Sequence, residues 1–284
     1  MGFLDAIKKS LRGTAEPSSR GSYTPRIATT TSRFIKDNKI QTMDSAPYLY
    51  DSAEDALSFA RKSLKDDRDR GHSFAERLSG AGNFLGYWHL AYSAGYPLQT
   101  LAAFIDEYLD QLSYYDGVFT KIWTSVTHNR IVDVGSRYPE PLFALAWLVG
   151  LGASRAQIER FLPFCGEPGQ DALFDRLVQL AGFNRPVANT LQYPNDYRDT
   201  LAVLDAPQAQ RSALIKKLLP KWFRTRFPDM TMKKPTDAEY TGHWALDIAL
   251  IVMLCGVDDS SFRDAEIYPR DLVDHYRSLK GAAT

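Results

Sequence analysis

Asp247 is the carboxylate with the most unusual surroundings in this chain. From Trp244 to Cys255 the sequence reads Trp-Ala-Leu-Asp-Ile-Ala-Leu-Ile-Val-Met-Leu-Cys, and Asp247 is its one polar residue. A carboxyl group on an all-apolar helix can have a raised pKa and serve as a general acid. Its competing role is structural. A buried charge without partners is strongly disfavoured, so Asp247 must then pair with an Arg or accept from Tyr, Trp or backbone donors. Little else could join it in catalysis. The five histidines are His72, His89, His128, His243 and His275. None stands at metal-ligand spacing from a Cys or a second His, and no His-Glu-x-x-His motif occurs. Gly80-Ala-Gly82-Asn-Phe-Leu-Gly86 is not a dinucleotide fingerprint, and no strand pattern precedes it. Asp258-Asp259-Ser260-Ser261 resembles half of a cation loop, but no Glu falls at the twelfth position a Ca²⁺ loop uses. The expectation is a protein that is no enzyme and holds no cofactor and no metal.

Two acidic clusters offer a different chemistry. Asp106, Glu107, Asp110 and Asp116 follow one amphipathic pattern, with 106 and 110 on a shared helical face. Asp258, Asp259, Asp264 and Glu266 form the second cluster. Each is either a solvated face or an acidic surface that a basic partner would meet with favourable electrostatics. The overall charge is zero over 284 residues, which argues against a nucleic-acid binder. The charge is uneven, however: residues 1–40 hold 8 Lys/Arg against 3 Asp/Glu, leaving the remainder at −5.

The elements that must position these residues read as helices. A helix apolar on every side must be buried on every side, and the stretch after Trp244 is too short for a bilayer, which takes about 20 such residues. It is expected to be the central helix of the core, capped by Thr241 and stopped by Gly256, with Val257 folding back as its hydrophobic contact. Phe262 should point inward, and Tyr268-Pro269 should open a last helix with Asp271 near its positive end. Upstream, Ser52–Asp55 begins a helix and Gly80-Ala-Gly82 marks a break. Gly86–Tyr92 forms a buried helix, and Leu98–Val126 gives a long amphipathic pattern with Leu101, Phe104, Ile105, Tyr108 and Leu112 at helical spacing. Pro141 opens an apolar helix ending at Gly150, and Ser154 caps the next. Ala172–Leu180, Tyr193–Leu204 and Ser212–Phe223 follow as helices. Three apolar helices would then each hold a Trp: Trp88, Trp147 and Trp244. Strand patterns are almost absent. The expected fold is all-α, a multi-helix bundle or orthogonal array around the buried C-terminal helix.

The expected divisions are a basic tail at 1–40, a helical region at 41–165 and a second at 166–284. The tail is rich in Ser, Thr, Gly and Pro and cannot build a packed core. Cys165 and Cys255 read as reduced thiols. No signal-peptide or lipidation pattern is visible at the start, so a cytoplasmic protein is expected, with no membrane partner.

The C-terminal motifs carry a resemblance. Gly242-x-Trp244, the acidic Asp247, Asp258-Asp259-Ser260-Ser261-Phe262-Arg263-Asp264 and Tyr268-Pro269-x-Asp271-Leu272-Val273 look like the C-terminal signature of PoNi-type immunity proteins. Tyr92–Tyr96 resembles the N-terminal half of the same family. The chain departs from the signature at Asp247, where Glu is more frequent, and at His243, where an aromatic residue is usual. The resemblance implies a bacterial immunity protein that binds a PoNe-type DNase toxin, many of which travel by type VI secretion, and blocks it by occluding the nuclease site. The partner would be that toxin protein, with no direct nucleic-acid contact, and the chain would be a monomer or a homodimer. Asp106, Glu107, Asp110, Asp116, Asp258 and Asp259 are the candidate toxin contacts. Gly242, Trp244, Asp247, Phe262, Arg263, Asp264, Tyr268, Pro269 and Asp271 are expected to hold the signature region together. Two alternatives remain open on sequence: an all-α enzyme built on Asp247, and a helical adaptor of a secretion system.

Overall fold

The computed structural model describes residues 54, 55, 57, 58 and 61, the stretches 74–114 and 139–228, residues 231 and 232, and the stretch 243–282. Every regular element among them is helical and none is a strand. The all-α expectation holds. The basic tail, Asp116, Thr241 and Gly242 lie outside the described residues.

Two compact units are present among the described residues, one built on residues up to 114 and one on 139–232 with 243–282. In the first, α1 (Phe74–Ala94) is followed by α2 (Leu98–Ala102) and α3 (Ile105–Tyr114). The expected break at Gly80–Gly82 is absent, and α1 runs straight through. Each interior Gly costs about 1 kcal/mol relative to Ala. Burial of Phe84, Tyr87, Trp88 and Tyr92 on the same helix outweighs that. Trp88 donates from its indole to the Leu101 carbonyl at 3.0 Å, and its ring meets Tyr108 at 4.9 Å. The long pattern from Leu98 is divided instead, by a turn at Ala103–Phe104. That turn brings the Phe104 ring to 5.1 Å from Tyr87 in an edge-on contact. Gly95, at φ 88°, ends α1, and Tyr96 folds back to donate to the Ala91 carbonyl.

The second unit begins with α4 (Pro139–Gly150) and α5 (Arg155–Phe161), the latter leading into a short 3₁₀ turn. Ser154 caps α5 as expected, in a reciprocal box with Gln157. Then come α6 (Ala172–Leu180), α7 (Pro194–Asp205), α8 (Gln208–Arg226), α9 (Leu246–Cys255) and α10 (Arg270–Ala282). The core helix is α9, whose residues 246–253 are all buried. It packs chiefly on α4, and also on α6, α7 and α10.

The start of α9 differs from expectation. Trp244 precedes the helix rather than lying in it, and Ala245 is the N-cap. The Ala245 amide donates to the Ile267 carbonyl at 2.8 Å, so the incoming chain is fixed by the later loop rather than by a side-chain cap. The far end follows expectation: Gly256 is left-handed at φ 61°, and buried Val257 donates to the Val252 carbonyl. Pro269 stands immediately before α10 and supplies the carbonyl for its first turn, so it is a cap rather than a first-turn residue. At the close approach of α4 to α10, a Cβ built on Gly150 would lie 2.6 Å from Cγ and Cδ1 of the fully buried Leu272. Gly150→Ala is therefore expected to lower thermal stability. Overpacking of about 1–3 kcal/mol exceeds the helix-propensity gain of at most about 1 kcal/mol. A melting curve decides it, and a variant melting at or above the wild type contradicts this packing.

Candidate interaction surface

The carboxylates separate into those spent on holding the fold and those left toward solvent. Asp247 belongs to the first group and is fully buried. Its Oδ1 accepts from the Trp222 indole at 2.7 Å, and its Oδ2 accepts from Arg226 Nη2 at 2.9 Å and Nε at 3.2 Å. Arg226 also donates to the Asp196 carbonyl and the Thr200 hydroxyl, and its guanidinium lies 4.1 Å from the Tyr197 ring centroid. Burial works to lower the Arg226 pKa, but Asp247, with Tyr197 and Asp196 beside it, more than offsets it and the net direction is upward. With both oxygens engaged and no exposure, Asp247 has no face for a substrate. Its structural role is the one the geometry fits.

A second buried set was not read from the sequence. Asp171 caps α6 through the Phe174 amide at 2.8 Å and also accepts from the Gln192 amide at 2.9 Å. Asp175 pairs with Arg185 and accepts from the amides of Gly169 and Ala188, both at 3.1 Å. Together they fasten the loop between α6 and α7. An Asp just before an apolar run was the available signal for Asp171. Nothing local marks Arg185 as the partner of Asp175.

The loop between α9 and α10 is built on a third set. Asp259, offered by the sequence as a surface contact, is buried at 4% exposure. It accepts from Arg277 at 3.0 Å, from the Tyr268 hydroxyl at 3.0 Å and from Arg263 at 3.2 Å. Its oxygens are committed inside the protein, so it is not a surface carboxylate. Burial, and then Asp259, push the Tyr268 hydroxyl pKa far upward. Arg277 also reaches the Val257 carbonyl at 3.1 Å, and Arg263 reaches Asp274. Buried Phe262 meets the Tyr268 ring edge-on at 5.2 Å. Arg270 pairs with Asp264 at 3.0 Å, while Asp271 lies in the first turn of α10. Of the expected signature residues, Trp244, Phe262, Tyr268 and Pro269 are buried, and Arg263 and Asp264 form these ion pairs.

Other carboxylates lie nearer the surface. Asp106 and Asp110 are exposed on α3, and Glu107 is half-buried and clamped by Arg61 at 2.6 and 2.8 Å. Asp258 is exposed, and the Ser260 amide and hydroxyl donate to it, which holds its pKa below the usual carboxylate range. Asp264 and Glu266 are exposed on the same loop. This loop and α8 enclose a groove of about 470 Å³, with Leu219, Pro220 and Phe223 on one wall and Ser260–Ile267 on the other. Among the described residues, no group of His, Cys, Asp or Glu is placed to hold a metal, and no helix is long and apolar enough to cross a membrane.

Comparison with known proteins adds to this geometry. The family profile described as "PoNe immunity proteins (PoNi), C-terminal" matches residues 169–272, which takes in the Asp247 cluster, the α9–α10 loop and the groove. The chain carries a PoNi-type C-terminal region. The resemblance read from its motifs is thus shown over that stretch, and the PoNi family is one of immunity proteins directed at PoNe nuclease toxins. No curated protein matches the sequence. Among solved structures, protein PA2201 from Pseudomonas aeruginosa is similar in fold, with a TM-score of 0.64 at 18% identity, over 89% of this chain and 93% of that one. At that identity the likeness speaks for the fold alone.

Proposed function

We propose that this chain is an immunity protein that binds a cognate antibacterial DNase toxin in the cytoplasm of the producing cell and neutralises it by covering the nuclease site. The toxin would be a type VI secretion effector. The observation that carries this reading is the PoNi match over residues 169–272. A binding role needs no catalytic set, and the one carboxylate that invited catalysis, Asp247, is consumed by Trp222 and Arg226. A DNase must bind phosphates, so its catalytic face carries positive charge. The exposed Asp106, Asp110 and Asp258 supply the opposite sign and favour fast, steered association.

Two measurements test this. Co-expression with its cognate PoNe-type nuclease should restore growth to sensitive cells and keep their DNA intact. Continued killing despite accumulation of folded protein rejects the immunity reading and favours the adaptor alternative. In stopped flow, association with that nuclease should slow as salt rises, because the Debye length falls from about 10 Å at 0.1 M to about 3 Å at 1 M. The Asp106→Lys, Glu107→Lys, Asp110→Lys triple variant should associate more slowly at low salt. Its stability should change little, since exposed ion pairs such as Arg61–Glu107 contribute about 0–1 kcal/mol. A rate indifferent to both changes removes α3 as the steering face.

A further inference from the structure

We infer that the outward cationic row of α8 is the part of this chain that enters the nuclease site, where its Lys and Arg groups meet the carboxylates that hold the toxin's divalent metal. This deepens the proposed function and rests on it. Along α8 stand Arg211, Lys216, Lys217, Lys221, Arg224 and Arg226, with no Asp or Glu among them. Three of these are engaged within the fold. Arg226 pairs with Asp247, Arg211 donates to the Leu204 and Ala206 carbonyls, and Lys221 pairs with Asp199. The side chains of Lys216, Lys217 and Arg224 are exposed and have no hydrogen bond or ion pair among the described residues.

Solvation alone does not ask for such a face. A solvated helix carries both signs, as α5 does with Arg155 and Glu159, and as α10 does with Asp271 and Asp274 among Arg270, Arg277 and Lys280. Lys217, Lys221 and Arg224 fall at i, i+4 and i+7, one row over about 10 Å of helix. Like charges at that spacing repel, so the fold gains nothing from the row, and only Lys221 is neutralised from within. On the opposite face Ile215, Leu218, Leu219, Trp222 and Phe223 are buried. The row therefore stands on a fixed helix, and binding meets little ordering cost in the backbone that carries it.

Charge selects the occupant. A nuclease face carries both signs. Its rim binds phosphate and is positive. A hydrolytic centre that activates water on a divalent cation holds that ion with carboxylates, so the ligand set is negative. The rim repels the α8 row and the centre attracts it. An ammonium or guanidinium seated among those carboxylates takes the place of the metal's charge, and Arg224 can meet a carboxylate through two parallel N–H donors. Metal, activated water and scissile phosphate are then excluded together. Desolvated charge pairs of this kind govern dissociation, while outlying charges act on the approach.

The test uses the full chain and its cognate PoNe-type nuclease, with affinity and both rates read by biolayer interferometry in EDTA and over a Mg²⁺ series at constant ionic strength. Wild-type affinity should be highest in EDTA and fall by about 10-fold or more as Mg²⁺ refills the site. The Lys217→Glu, Arg224→Glu double variant should bind about 30-fold or more weakly in EDTA, chiefly through faster dissociation, and lose the Mg²⁺ dependence. Arg198→Glu, at an exposed cation of α7 with no ion pair among the described residues, should bind like the wild type and keep that dependence. All three positions are exposed, and melts within a few degrees of the wild type would show that the fold is kept. Undiminished affinity of the folded double variant, wild-type affinity indifferent to Mg²⁺, or a nuclease that still cleaves in EDTA overturns the assignment and leaves the immunity reading intact. Binding of a plain DNA duplex that the double variant loses gives the row to phosphates and also overturns it. No binding of the nuclease by the wild-type chain overturns both.

Discussion

Arg226→Met is expected to destabilise the protein by about 3–5 kcal/mol, because it strips a buried carboxylate of its charge partner. Arg226 holds Asp247 at 2.9 Å, and both side chains are fully buried. Methionine preserves much of the volume, so the loss is electrostatic rather than steric. Only the Trp222 indole at 2.7 Å would still donate to Asp247. Asp247→Asn should also destabilise, for the reciprocal reason: Arg226 would remain buried with the Thr200 hydroxyl and a carbonyl from α7 but without the charge of Asp247. The pair Arg226→Met, Asp247→Leu should recover most of the loss, since an apolar replacement of a whole buried pair is often neutral or better. Urea unfolding of the wild type, Arg226→Met, Asp247→Leu and the pair gives the coupling directly. Single variants within about 1 kcal/mol of the wild type would show that the pair is not held as described. Toxin affinity of the folded fraction should be unchanged in all of them. A folded Asp247→Asn protein that loses a measurable turnover would revive the catalytic alternative.

That cluster also marks how far the sequence could be read. Asp247 announced itself because it interrupts an apolar run, and the need for an Arg or Trp partner followed from the cost of a buried charge. Which Arg and which Trp did not follow. Trp222 and Arg226 lie 25 and 21 residues away on α8, and no periodicity links them to α9. The same holds for Asp259. Its place in an Asp-Asp-Ser-Ser run suggests a solvated turn, and that is true of Asp258, whose oxygens take the Ser260 amide and hydroxyl. Asp259 points the other way because Arg277, 18 residues on, reaches it from α10. Helix ends set by local chemistry were legible, as at Ser154, Gly256 and the two ends of α6. Ends set by packing were not. Gly80 and Gly82 do not stop α1, and Pro220 does not stop α8, whose start at Gln208 lies four residues before the apolar pattern suggested. The groove was invisible to sequence, since it exists only where Pro220 and Ser261 come together.

Trp244→Ala should cost about 3–5 kcal/mol, from lost transfer energy and the cavity left behind. Trp244 is 3% exposed, yet it precedes α9 rather than riding on it. Its position makes the damage wider than a core cavity alone. The adjoining Ala245 amide is bonded to the Ile267 carbonyl, so the Trp anchors the chain where the entry to α9 meets the loop that forms one wall of the groove. Two signatures should appear. The melting temperature should fall by several degrees, and toxin affinity of the protein still folded at low temperature should fall modestly as the loop loosens. Trp244→Phe should restore most of both, because an aromatic ring refills most of the space and the backbone contact is untouched. Amide exchange localises the effect, with faster exchange expected at Ala245 and in 260–268 before any change in α4. A Trp244→Ala protein of normal stability that fails to bind toxin would instead place Trp244 in the contact surface.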